Sequence, residues 1–223
     1  MKRSIVLAGL VVSVLFASPT LAHTLPDISY EEIYYQATNN CHNRPPARMT
    51  EQHREMIRLM IQIEKTFNVP AQMRGMLVAA ACSESGYNPA AQGDWRNRNR
   101  RNRVRRVAMA IGILQQWPWY ERHYNINRLN PAQAADSWMK HIVRQLPSVR
   151  KRCRISRHNE RKLWVAAWVH AIRAPKVGGR CNERPLHYRV LRRWHRDTLR
   201  LRRAELRRLE LQGEEPTQYT PGC

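Results

Sequence analysis

The chain has 223 residues, and its 39 lysines and arginines outnumber 17 aspartates and glutamates, giving a formal net charge of +22. Such an excess predicts adhesion to polyanions. The sequence contains no P-loop, no GxGxxG, no GxSxG and no HExxH, which excludes the common signatures of nucleotide-dependent enzymes, serine hydrolases and zinc peptidases.

Residues 1–22 have the pattern of a secretory signal. Lys2 and Arg3 precede an apolar run that is short for a membrane span, and cleavage is expected before His23. An uncleaved N-terminal anchor is the alternative. We therefore expect an exported protein, periplasmic or extracellular. Its polyanionic partners would be cell-wall polymers, lipopolysaccharide or acidic lipid surfaces, not nucleic acid.

Five cysteines follow this segment: Cys41, Cys82, Cys153, Cys181 and Cys223. In an oxidising compartment they predict two disulfides and one spare, which we assign to the last residue. The sequence-local pairing joins the first to the second and the third to the fourth, although the four allow three connectivities. No Cys-x2-Cys pair exists, so we expect no metal site, and nothing in the sequence calls for a cofactor.

The first third of the chain predicts a short extension and two helices. Residues 23–49 are polar and interrupted by prolines, with a short helix around three tyrosines. Thr50 suits the N-cap of a helix whose apolar residues recur at helical spacing. A second helix is expected over 71–84. Residues 50–185 are interpreted as the main domain.

An arginine-rich stretch interrupts that domain. Residues 94–106 carry seven arginines and almost no apolar side chain, which predicts a mobile surface loop. It would serve either as an electrostatic clamp on an anionic substrate or as a solvated insertion without a role of its own.

Three further helices are expected downstream. Asn130 and Pro131 suit the start of one, and Pro147 is expected to end it. The segment 162–173 is apolar nearly all round and therefore buried. Residues 186–223 predict a long basic helix and a polar tail. We expect the apolar stripe of that helix to pack on the domain, and its arginines to dock on an anionic surface.

The octapeptide Cys82-Ser83-Glu84-Ser85-Gly86-Tyr87-Asn88-Pro89 places a glutamate where a helix must end. The glycine leaves the helix easily, and the proline cannot continue it. A carboxyl group that is fixed by a helix on one side and open on the other suits a general acid. The alternative is an ordinary exposed glutamate in a last helical turn.

A second stretch, residues 109–120, combines an apolar run, two glutamines and three aromatics, and reads MAIGILQQWPWY. Aromatic faces beside amide donors suit sugar rings, whose C–H faces stack while their hydroxyls form hydrogen bonds. Core packing of the tryptophans is the alternative.

The segments 84–89, 112–115 and 166–168 (ESGYNP, GILQ and AAW) occur in one order. This arrangement resembles the soluble-type (SLT) lytic transglycosylases, relatives of goose-type lysozyme, over roughly residues 50–173. The resemblance implies an all-α, lysozyme-like transglycosylase domain with a groove for peptidoglycan glycan strands. The reaction it implies cleaves the β-1,4 bond between N-acetylmuramic acid and N-acetylglucosamine and leaves a 1,6-anhydro end.

The same resemblance assigns roles to four residues. Glu84 would act as acid and then as base, while Ser85 would hold the substrate or the glutamate. Gln115 would hydrogen-bond near the reacting sugar. Trp168 stands where the family has a tyrosine that steadies the glutamate, and its indole N–H is expected to donate a similar hydrogen bond.

Two other functions remain open from the sequence. A lysozyme-type hydrolase would use water and prefer a second carboxylate, for which Asp94 is nearest in sequence. A non-catalytic wall-binding protein would rely on the arginines alone. In each case the chain is expected to act as a monomer.

Overall fold

The computed structural model describes residues 27–97, 106–172 and 181–212, and these are mostly helical. Seven α-helices and two strands make up the described fold, in the order α1 (Tyr30–Asn40), α2 (Glu51–Lys65), α3 (Met76–Ser85), β1 (Gln92–Asn97), β2 (Arg106–Ile111), α4 (Pro118–Tyr124), α5 (Pro131–Arg152), α6 (Glu160–Ile172) and α7 (Leu186–Gln212). The helical class expected from the sequence is therefore present.

Helix α3 forms the centre of the core. Every residue from Met76 to Cys82 is buried, as expected for a helix that is apolar all round. Helices α1, α2 and α7 contact α3, and α5 packs against α2 and α6. The position of α3 matters because its last turn carries Glu84.

Several predicted helix starts are confirmed. Thr50 is the N-cap of α2, and Pro131 is the first residue of α5. The Asn130 side chain accepts hydrogen bonds from two backbone N–H groups of the first turn of α5. These starts depend on local chemistry, which is why the sequence identified them.

The predicted end of α5 at Pro147 is wrong, because the helix continues to Arg152 with the proline inside it. A proline removes one backbone N–H donor and crowds the preceding turn, which costs about 3 kcal/mol. Packing offsets this cost: Val149 is fully buried beyond the proline, and Cys153 at the helix end forms a disulfide.

The prediction of a loop over 94–106 needs correction. Asp94 lies in β1 and Arg106 in β2, and the two strands pair antiparallel, with Trp95 opposite Ala108. The apolar strand after the arginines supplies backbone partners, so the ladder satisfies N–H and C=O groups that a loop would leave to water. Residues 98–105 lie outside the described residues.

The segments that flank the predicted domain contribute to the same core. Ile33 and Ala37 of α1 and Trp194 of α7 are fully buried. Arg202 of α7 pairs through two nitrogens with the buried Glu32 of α1. The first half of the apolar stripe of α7 packs on the domain as expected, through Leu191 and Trp194, whereas Leu201 is exposed.

Both sequence-local disulfides are present, Cys41–Cys82 and Cys153–Cys181. Two disulfides are compatible with an oxidising environment outside the cytoplasm. In the described parts of the chain, no helix has the length and apolar character needed to cross a membrane. The predicted signal at 1–22, the tail from residue 213 and Cys223 lie outside the described residues.

Candidate active site

The end of α3 is built as the octapeptide predicts. Gly86 follows the helix in the left-handed region, with φ of 58°, and its N–H closes the last turn onto Cys82. A Cβ at this glycine would lie 2.8 Å from the carbonyl oxygen of Asn43, so a larger residue would also clash. Glu84 is thereby held in the final turn with its side chain 31% exposed.

A tight turn brings Gln115 towards the end of α3 that carries Glu84. Gly112 has φ of 82°, and a Cβ there would lie 2.1 Å from the carbonyl oxygen of Arg128, which leaves glycine as the residue that fits. Gln115 itself has φ of 46°, and its side-chain amide donates to the Gly112 carbonyl oxygen at 3.0 Å. The turn therefore fixes both the backbone and the side chain of this glutamine.

Ser85 joins the two motifs. Its hydroxyl donates to the carbonyl oxygen of Ile113 at 2.8 Å and lies 3.2 Å from that of Ala81. The serine next to Glu84 thus ties the end of α3 to the turn that carries Gln115. This contact gives Ser85 a structural role in placing the two predicted site residues, in addition to any contact with a substrate.

Glu84 and Gln115 line one cleft of about 300 Å³. Its other polar and aromatic lining residues are Asp94, Gln116, Trp117, Trp119, Tyr120 and Trp138. Residues from α3, from the hairpin, from the turn after it and from α4 and α5 thus meet here. The cleft has the composition of a ligand site: aromatic walls with a few polar groups at defined points.

The aromatic wall is ordered by specific contacts. The Trp117 indole N–H donates to Asp94 Oδ2 at 3.0 Å, which links the wall to β1. Trp119 stacks on Tyr120 with ring centroids 3.9 Å apart. Trp117 and Trp119 are half-buried whereas Tyr120 is buried, so the two tryptophans offer faces to a ligand and the tyrosine belongs to the core.

Glu84 has a partner that the sequence did not indicate. His187, the second residue of α7, places Nε2 at 2.7 Å from Glu84 Oε1. This histidine follows the predicted motifs by many residues and lies beyond the region of family resemblance. Nothing in the local sequence marks it, because only the packing of α7 against α3 brings it to the glutamate.

The expected hydrogen bond from Trp168 to Glu84 is not formed. Trp168 is fully buried, does not line the cleft, and its indole N–H has no hydrogen-bond partner within the described residues. Its ring lies nearly parallel to that of His187, with centroids 5.9 Å apart and planes at 18°. Trp168 therefore contacts the glutamate's partner, and a fully buried side chain cannot touch a substrate directly.

In the described residues, no group of three or more histidine, cysteine or acidic side chains is arranged to hold a metal ion. Comparison of the chain with protein-family models, with curated proteins and with solved structures gave no match. The arrangement at the cleft is therefore the basis for any statement about activity.

Proposed function

We propose that this protein is a peptidoglycan lytic transglycosylase whose acid–base residue is Glu84. The observation that carries the proposal is the meeting of Glu84 and Gln115 in one aromatic-lined cleft. A half-exposed carboxyl group beside tryptophan faces and an amide suits a glycan strand, which stacks its sugar faces and hydrogen-bonds its substituents. The two motifs in the cleft are also those that carry the family resemblance.

The proposed reaction needs one carboxyl group. Glu84 donates a proton to the oxygen that bridges C1 of N-acetylmuramic acid and the next N-acetylglucosamine, and the C1–O bond breaks. The C6 hydroxyl of the muramyl ring then forms a bond to C1 as the Glu84 carboxylate accepts its proton. No water is consumed, and the substrate's own N-acetyl oxygen can stabilise the cationic centre.

The other predicted site residues support this chemistry in different ways. Gln115 lines the cleft and would hydrogen-bond to the sugar at the cleavage point. Ser85 would hold the end of α3 against the Gln115 turn. Trp168 would support the site from the core.

The decisive experiment is mass spectrometry of purified peptidoglycan after digestion with the wild-type protein. Fragments one water lighter at the muramyl end are expected, with no ¹⁸O incorporated from labelled water. Glu84→Gln should abolish release, with binding to peptidoglycan unchanged. Activity close to wild type in that variant would refute the assignment of Glu84.

A hydrolase is the second candidate because Asp94 lies in the same cleft as Glu84. Two carboxyl groups on one cleft are the arrangement of most glycosidases. Ordinary reducing ends carrying ¹⁸O, together with a large loss of activity in Asp94→Asn, would favour hydrolysis. The Asp94 carboxylate accepts a hydrogen bond from the Trp117 indole N–H. We therefore expect Asp94→Asn mainly to loosen Trp117 and to leave the anhydro product unchanged.

A basic surface along α7 supports a further part of the proposal, the binding of anionic wall or outer-membrane polymers. Two cavities of about 470 and 580 Å³ share Arg161, Tyr188 and Arg192. The other cationic residues that line them are Lys162, Arg184, Arg196, Arg200 and Arg203. Among residues 27–97, 106–172 and 181–212, no carboxylate pairs with Arg161, Arg192 or Arg203.

These unpaired cations would hold a periplasmic or extracellular protein, acting as a monomer, on its polymer. Binding to isolated wall polymer should weaken steeply as salt rises, because exposed charges are screened within about 10 Å at 0.1 M salt. Arg192→Glu with Arg203→Glu should remove most of this binding while the cleft stays intact. Salt-independent binding would contradict the electrostatic role.

A further inference from the structure

The Glu84 carboxyl group is held at one oxygen. His187 Nε2 lies 2.7 Å from Oε1. In the part of the chain that the structure describes, no other side chain hydrogen-bonds to this carboxyl group or pairs with it. Oε2 is therefore available to a molecule in the cleft that Glu84 lines.

The His187 ring approaches from the core and not from the cleft. Its side chain is 10% exposed, and it is absent from the cleft lining. Trp168 lies nearly parallel to it, and Trp168 in turn meets Trp138 edge to face, with centroids 5.7 Å apart. The imidazole is thus held in orientation by aromatic packing, with one ring nitrogen on the glutamate.

We propose that His187 is the positioning residue for Glu84, donating a hydrogen bond from Nε2–H to Oε1; this role rests on the function proposed above. Nδ1 of the same ring is buried and has no partner in the described structure. A buried N–H without an acceptor is costly, so the tautomer with its proton on Nε2 fits these surroundings.

A single hydrogen bond to one oxygen suits a carboxyl group that must change its protonation during the reaction. With Oε1 occupied by the imidazole N–H, the proton that Glu84 delivers is carried on Oε2, and the proton that it later accepts returns there. A lysine or arginine at this place would add a permanent charge and favour the carboxylate throughout. The imidazole instead fixes the direction of the carboxyl group and leaves it able to hold or release a proton.

The helix that carries His187 is anchored along its length. The chain that enters α7 is tied to the end of α5 by Cys153–Cys181. Further along α7, Trp194 is fully buried and donates to the Asn40 carbonyl oxygen at 3.3 Å. The core therefore places His187 against the last turn of α3 before any substrate arrives, as a positioning contact requires.

The test compares two variants of the full-length exported protein on soluble peptidoglycan fragments. His187→Phe keeps a ring on Trp168 and removes the N–H donor. His187→Gln removes the ring, but its side-chain amide can place a donor near the position of Nε2. Circular dichroism and thermal unfolding of each variant establish that the fold is retained.

We expect His187→Phe to lower kcat by about 10- to 100-fold with little change in KM, comparable to the losses seen when residues that orient metal ligands are removed. His187→Gln should recover part of that loss despite its poorer packing. The positioning role is overturned if the kcat of His187→Gln is no higher than that of His187→Phe, or if His187→Phe is as active as wild type. Neither result affects the transglycosylase assignment.

The two proposals fail in different ways. If wild-type protein releases no glycan fragment, the proposed function falls and the positioning role falls with it. ¹⁵N NMR of the histidine rings tests the contact without activity: His187 should show the Nε2–H tautomer in wild type, and Glu84→Ala should shift that signal. An Nδ1–H tautomer in wild type would overturn the hydrogen bond on which the positioning role depends.

Discussion

Two glutamates meet opposite ends of α3 and have opposite surroundings: Glu64 reaches the start of α3 from α2, and Glu84 belongs to α3 itself. Glu64 is fully buried near the first turn of the helix, where Gly75 N–H, Leu77 N–H and the Tyr30 hydroxyl donate to it at 2.5, 2.8 and 3.2 Å. Glu84 lies in the last turn, half-exposed, with His187 on one oxygen. One carboxyl group is saturated with donors, whereas the other keeps an oxygen for a ligand.

The direction of the helix explains this contrast. The first turn of an α-helix has free backbone N–H groups, and the last turn has free C=O groups. A glutamate that reaches the start of α3 from a neighbouring helix, as Glu64 does from α2, is therefore satisfied by backbone N–H groups. A glutamate at the end finds no such donor and depends on a side chain from elsewhere, which His187 supplies from α7. The two carboxyl groups thus differ by the end of α3 that each of them meets.

Alanine at each position should separate the two roles most strongly. Glu84→Ala is expected to lower the proposed transglycosylase activity by about 10²- to 10⁴-fold, the usual contribution of a general acid. It leaves one donor, His187, without its acceptor, so its loss of stability should be limited to about 1–3 kcal/mol. Glu64→Ala strands three donors, of which the Gly75 and Leu77 N–H groups are buried, each worth about 1–3 kcal/mol, so its free energy of unfolding should fall by several kcal/mol. The fraction of Glu64→Ala that is folded should keep its activity.

Activity assays beside urea unfolding measure both effects. The contrast between the two ends of α3 fails if Glu84→Ala unfolds the protein, or if folded Glu64→Ala is inactive.

The next largest expected effect is a pH dependence of stability that comes from Glu64. Burial raises its pKa from 4.5 to about 7, against the opposing effect of its hydrogen bonds and of Arg74. Because the folded state keeps this proton longer than the unfolded state, this group's stabilisation is complete below pH 4.5 and is lost as pH rises towards 7. The loss is on the order of 3 kcal/mol.

Glu64→Gln cannot titrate and is the matched comparison. As pH rises towards 7, wild type should lose stability relative to Glu64→Gln. The other titrating groups are common to both proteins, so the change in the difference between their free energies of unfolding reports on Glu64. Parallel stability curves for the two proteins would show that the buried carboxyl group does not titrate in this range.

The smallest expected effect concerns a single donor to Glu64. Tyr30→Phe removes the hydroxyl that donates at 3.2 Å and keeps the ring, which Lys65 and Arg74 contact. A loss of about 1 kcal/mol in the free energy of unfolding is expected for one hydrogen bond. Tyr35→Phe is the control, because Tyr35 is 54% exposed and should change stability little. Equal effects of the two variants would contradict a role for the Tyr30 hydroxyl.

Local patterns in the sequence were sufficient for much of the fold and part of the site. Thr50, Asn130 and Pro131 mark helix starts because caps depend on adjacent residues. Gly86 marks the helix end that exposes Glu84 for the same reason. Pairing of the cysteines in sequence order was also correct, although spacing alone left other connectivities open.

Where local signals competed with packing, the sequence misled. Pro147 stops a helix in isolation, but burial of Val149 carries α5 past it. The arginines near residue 100 indicate a loop, but the apolar residues of β2 draw β1 into a hairpin. Trp168 stands at the position where the family resemblance expects a donor to Glu84, yet its ring supports a different donor.

The sequence by itself determined that the chain is mostly helical, that a helix ends just beyond Glu84, and that a glycine turn precedes Gln115, because each depends on neighbouring residues. Only the tertiary structure decided what surrounds the glutamate. His187 and Glu84 are far apart along the chain, and their contact exists because α7 packs on α3. No local pattern encodes that contact, since it depends on how the whole core is filled.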